Sequence, residues 1–153
     1  MKPAIRVIGM DKVLTNLRKE MDAIPNKTRK GLIQAGLLVQ RGAQKNCPVK
    51  LGNLKASAFT VWGPTAPTTP PAFKGENAGK MGLEHSQIVN QEKMSLPTGN
   101  INIMVEVGFS AYYALYVHER AAKHEVGDWK FLERSLYENQ GRIIGIVKDN
   151  AKV

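Results

Sequence analysis

The apolar positions of this chain change period several times, and each change marks an element. Ala4–Ile8 is a short apolar run closed by Gly9 and predicts an edge strand. Val13, Leu14, Leu17, Met21 and Ile24 then recur at three- and four-residue spacing, as one face of an amphipathic helix does. Asp11 stands where a carboxylate can accept from the first free amides of that helix, and Pro25 predicts its end. Asn26 is placed to cap a second, longer helix running to about Asn46. Leu32, Ile33, Leu37 and Ala43 form its expected buried face, with Val39 toward a second neighbour. Gly31, Gly36 and Gly42 weaken this helix but admit another backbone at close range. Pro48 stops it.

From Leu54 to Trp62 the pattern predicts a strand, with Phe59 and Val61 on one face and Thr60 and Trp62 on the other. Residues 63–100 lose periodicity. They begin with a Pro/Thr-rich stretch carrying Pro64, Pro67, Pro70 and Pro71 just ahead of Phe73, and continue with scattered Gly, Asn and Ser. A stretch of this kind predicts a long loop, extended at its prolines, that is either functional or a mobile insert of no consequence. Ile101–Phe109 is the clearest strand, with Ile101, Ile103, Val105, Val107 and Phe109 inward. Asp128 is placed to cap a last helix striped by Phe131, Leu132, Leu136, Ile143, Ile144 and Val147. The order predicts one α+β domain over 1–153. A small antiparallel β-sheet packs against a long helix and a C-terminal helix, and a loop is inserted at about 63–100.

Composition narrows the classes. A chain of 153 residues with 42% hydrophobic content suits one domain with one modest core. A single cysteine, Cys47, excludes an internal disulfide and reads as a small buried hydrophobe. No apolar run approaches the roughly 20 residues of a membrane helix, and the first residues lack a signal-peptide pattern. The chain is therefore expected to be soluble and intracellular, with no membrane partner.

Charge adds a direction. The net charge is +9, and it is uneven. Between Ala23 and Gly75 lie Lys27, Arg29, Lys30, Arg41, Lys45, Lys50, Lys55 and Lys74 with no acidic residue, while the rest of the chain is close to neutral. Such a block attracts DNA phosphates without regard to sequence, or an acidic partner protein, or simply forms a solvated face. Few aromatics interrupt it, which disfavours a base-stacking platform.

Catalytic chemistry is hard to find. His85, His118 and His124 lack metal-ligand spacing, and no nucleophile elbow, phosphate loop or dinucleotide fingerprint is present. His118 beside Glu119 imitates a catalytic pair, but neighbours on regular structure are not expected to face each other. No cofactor, metal or enzymatic activity is expected.

Three ordered blocks carry a resemblance. The first is Ala43-Gln-Lys-Asn-Cys-Pro-Val-Lys-Leu-Gly-Asn-Leu-Lys-Ala-Ser57, the second Val105-Glu-Val-Gly-Phe-Ser-Ala-Tyr-Tyr-Ala-Leu-Tyr-Val-His-Glu119, and the third Trp129-Lys-Phe-Leu-Glu-Arg-Ser-Leu136. Together they resemble the tail-completion or head–tail joining proteins of tailed-bacteriophage necks. The first block keeps Pro48, Val49, Gly52, Leu54, Lys55 and Ser57 of that family's pattern. It departs at Lys50 and Leu51, where an aspartate and a threonine are usual.

The resemblance implies a virion structural protein, assembled in the host cytoplasm, that rings the DNA channel and turns over no substrate. A hexamer is favoured over a dodecamer. Implied neighbours are other neck proteins, such as an adaptor or stopper, a tail terminator or the tail tube, and genomic DNA bound non-specifically. Pro48, Gly52, Leu54, Tyr113, Tyr116, Glu119, Phe131 and Leu132 would be motif or interface residues. Lys27, Arg29, Lys30, Arg41, Lys45, Lys50 and Lys55 would face DNA or an acidic partner. Pro64, Pro67, Pro70, Pro71 and Phe73 would form the inter-subunit loop. Tyr112, Tyr113, Tyr116 and Trp129 are read as core, with an interface as their other use. The competing expectation is a free cytoplasmic nucleic-acid-binding protein using the basic 23–75 segment. A small hydrolase centred on His118 and Glu119 is a third, and it requires activity that His118→Ala would abolish.

Overall fold

A computed structural model describes residues 10–99 and 103–152. One long helix, α1 (Met10–Asn46), is the spine. A single turn, α2 (Asn53–Ala56), leads into strand β1 (Ala58–Val61). Helix α3 (Ala78–Ser95) precedes strand β2 (Glu106–Phe109), and α4 (Ala114–Glu119), α5 (Phe131–Glu138) and α6 (Gln140–Ala151) follow. The expected Ala4–Ile8 strand, the Asp11 side chain, Ile101 and Asn102 lie outside the described residues. The architecture is α+β, with a two-stranded antiparallel sheet against helices.

Pro25 does not end a helix; it lies inside α1. A proline there removes one amide donor, and the carbonyl four residues back belongs to Met21, on a part of the helix exposed to water. Water can take the lost bond, so the helix continues for 37 residues, about 55 Å.

The buried row of α1 is not the leucine face. It runs Gly31, Ala35, Val39 and Ala43 at four-residue spacing and continues in Cys47 just past the helix; Val39 and Ala43 are buried as expected, whereas Leu37 is exposed. Small side chains win because other elements come too close for large ones. A Cβ on Gly31 would lie 3.0 Å from the Val147 Cα and 3.1 Å from the Asn150 Cβ, so α6 packs backbone to backbone. At Gly42 an added Cβ would collide with Ser135 Oγ of α5, which donates to the Val39 carbonyl at 2.7 Å. Between these two contacts the sheet lies over Gly36. The α5–α6 pair thus runs antiparallel along α1, from Gly42 back to Lys27, whose Nζ donates to the Lys152 carbonyl at 3.3 Å.

The sheet sits between two helices. Its register pairs Ala58 with Phe109, Phe59 with Gly108, Thr60 with Val107 and Val61 with Glu106. Thr60 faces α1 and donates to the Gln40 side-chain oxygen at 2.6 Å. Phe59 and Val61 face the other way, into a cluster with Ala66, Val89 and Leu96. All four residues of β1 are consequently buried. A second cluster joins Ala43, Cys47, Leu54, Met81 and Phe131, with Phe73, Tyr113 and Leu132 packed on it.

Several expected boundaries shift. The segment 63–100 is not one long loop: its first part is irregular, but Ala78–Ser95 is helical and buries Met81, His85 and Val89. These three residues, four apart, cover the outer face of β1, which would otherwise leave Phe59 and Val61 wet. Leu54 lies within the turn α2 rather than in a strand, because Gly52 takes φ +84° and the chain bends there. Ile103–Val105 lies outside β2. Asp128 does not cap the last helix. It accepts from the Trp129 amide at 2.9 Å and bridges Arg134 at 2.8 Å, and both interactions hold its carboxyl below the usual range. The last helix is two helices meeting at Asn139, and Leu136 and Ile144 point to solvent.

His85 is 3% exposed, with Nδ1 2.6 Å from Ser110 Oγ and its ring edge-on to Phe59 and Phe73. Burial pushes its pKa down, so the folded state holds it neutral.

Two predictions follow from this packing. Gly31→Ala and Gly42→Ala should each destabilise by about 1–3 kcal/mol in urea unfolding. Gly145→Ala, where an added Cβ meets nothing within 4 Å, should stabilise by up to about 1 kcal/mol. Equal effects at the three sites would contradict the close packing. For His85 the unfolded chain takes up the proton first as pH falls below about 6.5, so stability present at pH 7 is lost on acidification. Between pH 7 and 5.5 the wild type should lose more stability than His85→Gln; parallel pH profiles would show the histidine to be uninvolved.

Candidate interaction surfaces

The first and second motif blocks converge. Pro48–Leu54 and the Tyr112–Val117 stretch line one hollow of about 730 Å³, closed on its far side by Lys74–Asn77 and Met81. Two backbone anchors shape it. The Asn46 carbonyl at the end of α1 accepts from the Asp128 amide at 2.8 Å. Gly127, at φ +80°, packs so tightly on the Cys47 carbonyl that no Cβ would fit. The Asn53 side chain supplies a third tie: it donates to the Lys74 carbonyl at 2.9 Å and accepts from the Lys74 amide at 2.8 Å. A buried amide thus copies a strand pairing and holds the 74–77 loop against the motif.

Within this region Leu54 and Phe131 are core residues, Phe131 at 1% exposure, and Leu132 is half-buried beside them. Tyr113 is half-buried, and burial raises its phenol pKa. Tyr112 and Tyr116 are not core: both rings are exposed, and Arg120 stacks over Tyr116 at 5.2 Å. Pro48 is half-buried and Gly52 makes the bend. Cys47 is fully buried, which raises its thiol pKa.

Glu119 and His118 do face each other, against the sequence expectation. His118 Nδ1 lies 2.7 Å from Glu119 Oε1, and Lys130 Nζ holds the other oxygen at 3.0 Å. These bonds, Lys130 first, keep the Glu119 carboxyl below its ordinary value. The pairing arises because Glu119 ends α4, where its side chain can fold back beside its neighbour. The His118 ring stands edge-on to Phe131 at 4.9 Å, and its Nε2 is buried without a partner among the described residues. Among the described residues, no group of three or more His, Cys, Asp or Glu could hold a metal ion. None of the described helices is long and apolar enough to cross a membrane.

The basic block divides three ways. Lys27, Lys30, Arg41 and Lys45 share one side of α1, as 100° per residue requires, and Lys12 and Lys19 continue that stripe toward the helix start. Lys27 is bridged to Glu20 at 3.0 Å. Lys55 is exposed beside the end of the stripe, where its carbonyl accepts from Gln44 at 2.9 Å. Arg29 turns away from the stripe and donates to the Gly99 carbonyl at 3.1 Å. Lys50 and Lys74 belong to the hollow.

Of the predicted loop residues, Pro64, Pro67 and Pro70 are exposed and Pro71 is half-buried. Phe73 turns inward onto the core and the His85 ring.

Sequence reasoning missed one surface. The predicted helical face Val13, Leu14, Leu17 and Met21 forms as expected but is uncovered, with Val13 62%, Leu17 54% and Met21 59% exposed. The signal was in the periodicity; what periodicity could not say is that α6 stops short of it. Comparison with protein-family models, with curated proteins and with solved structures gives no match to this chain.

Asn53→Ala should cost about 1–3 kcal/mol in urea unfolding and speed limited proteolysis at residues 74–77. Unchanged cleavage there would mean that the loop is held by something else.

Proposed function

We propose that this chain is a structural subunit of a bacteriophage neck, of the tail-completion or head–tail joining kind, which assembles as a ring around the DNA channel and turns over no substrate. One observation carries the reading. The same continuous helix bears an exposed apolar strip and, on another side, a basic stripe running about 50 Å from Lys12 to Lys45. A monomer acting alone has no use for the first, since contiguous exposed apolar surface marks an interaction site. The second suits phosphates spaced along a duplex, read without base contacts. The convergence of two motif blocks on one hollow adds support, because Tyr112 stands exposed in its lining. In this reading the neighbours are further neck proteins and the DNA in the channel, and the site of action is the virion.

The basic stripe by itself also supports a free nucleic-acid-binding protein. Deleting the gene from the phage that encodes it separates the two. The neck reading requires filled heads and free tails that fail to join, and joined, infectious particles would refute it. Changing Lys30, Arg41 and Lys45 together to Gln should leave the far-UV spectrum and the melting temperature unchanged, since all three are exposed on the solvent side of α1. Duplex retention should fall by about tenfold or more, and its salt dependence should flatten. Full retention would remove DNA from the list of partners.

A further inference from the structure

The apolar strip on α1 continues a face that is already in use. From Gly31 onward that side of the helix is covered by α6, the sheet and α5; ahead of Ala23 none of the described residues covers it. The bare part, residues 13–22, keeps its apolar residues within about a third of the helix circumference, with charged groups only at the margins. The same molecule also carries an unfilled apolar groove of about 640 Å³. It lies between α1 at Leu32 and Val39, the Ile103–Val107 stretch, and Leu132, Leu136 and Ile143 of α5 and α6. His118, whose buried Nε2 has no partner, lines this groove as well. A buried donor or acceptor without a partner is rare in a finished structure.

We propose that the first turns of α1 in one copy of this chain, anchored by Val13, Leu17 and Met21, dock in the Leu32–Val105–Leu136 groove of a second copy. Amphipathic helices enter apolar grooves through anchors spaced three, four and seven residues apart; Leu14, Leu17 and Met21 have that spacing, and Val13 stands one turn before Leu17 on the same face. A second copy is the occupant indicated because the strip and the groove lie on different parts of one chain. A head-to-tail contact therefore covers both in every subunit, and repeating it closes a ring when the rotation permits. The inference rests on the ring-forming part of the proposed function and specifies how the ring is joined.

The test uses two variants of the full chain. Leu17→Asp/Met21→Asp puts charge on the strip, and Leu136→Asp puts it in the groove; all three side chains are at least 50% exposed, so folding should be preserved and is checked by far-UV circular dichroism. Sedimentation velocity should show wild type beyond the dimer and each variant as a monomer. An equimolar mixture of the two should form a one-to-one dimer, since it holds one intact strip and one intact groove. Variants that assemble like wild type, or a mixture that stays monomeric, would overturn the proposal. So would a wild type that is monomeric and assembles only once residues 1–9 are removed, because those residues would then be the cover. Phage carrying Leu17→Asp/Met21→Asp that still join heads to tails would also overturn this docking while leaving the neck reading standing.

Discussion

Everything in this molecule hangs on how closely other elements approach one side of α1. The row Gly31, Ala35, Val39, Ala43 and Cys47 has almost no side-chain bulk, so α6 meets the helix at its backbone and Ser135 of α5 reaches the Val39 carbonyl. Close approach multiplies dispersion contacts and removes apolar surface from water without large side chains. It also fixes alignment. Because the glycines stand at particular turns, α6 can lie against Gly31 and α5 against Gly42 in one register only. The placing of α5 then seats Phe131 against Phe109, edge to face at 5.0 Å, which ties the helical pair to the sheet.

This dependence explains what the sequence disclosed and what it concealed. Amphipathic periodicity found the helical content of α1, though as two helices divided at Pro25, the β2 strand, and the C-terminal helical region, though as one helix rather than two, because each has large apolar residues at regular spacing. It placed Val39 and Ala43 in the buried part of α1 but misjudged Leu37, because Leu37 looks like core while Gly31 and Ala35 look like filler. It missed α3 for the same reason. Leu83 and Met94, the prominent apolar residues there, are exposed, and the buried row is Met81, His85 and Val89. A histidine read as polar broke the pattern, although His85 is buried neutral between two aromatic rings. Where small or polar residues form the seam, hydrophobicity points to the wrong side of a helix.

The candidate surfaces show a similar division. The motif blocks were legible as local chemistry, with a proline stop, a glycine bend and an apolar residue after it. That Pro48–Leu54 and Tyr112–Val117 share a hollow depends on Asn53 binding Lys74 and on Gly127 packing beneath Cys47, which are long-range events with no local signature. The basic block was legible as a count. Its division could be known only once α1 proved continuous through Pro25, since an interrupted helix would have put Lys12 and Lys19 on an unrelated axis. Arg29, two residues from Lys27, faces elsewhere because two helical residues stand 200° apart.

Pro25 sits at the boundary between the covered and the bare parts of α1, and its position has a mechanical consequence. Residues 23–25 are half-buried and the preceding turns are exposed. A proline at the boundary removes one backbone bond where no packing replaces it, and its ring crowds the carbonyl of Met21. The helix is therefore easiest to bend at the point where α6 stops supporting it. Bending there would swing the Val13–Met21 strip and the Lys12–Lys19 part of the stripe together, while Lys30, Arg41 and Lys45 stayed fixed to the core. Apolar and basic surfaces on one helical arm are thus mechanically linked: whatever sets the angle of the first also sets where the second presents its charge.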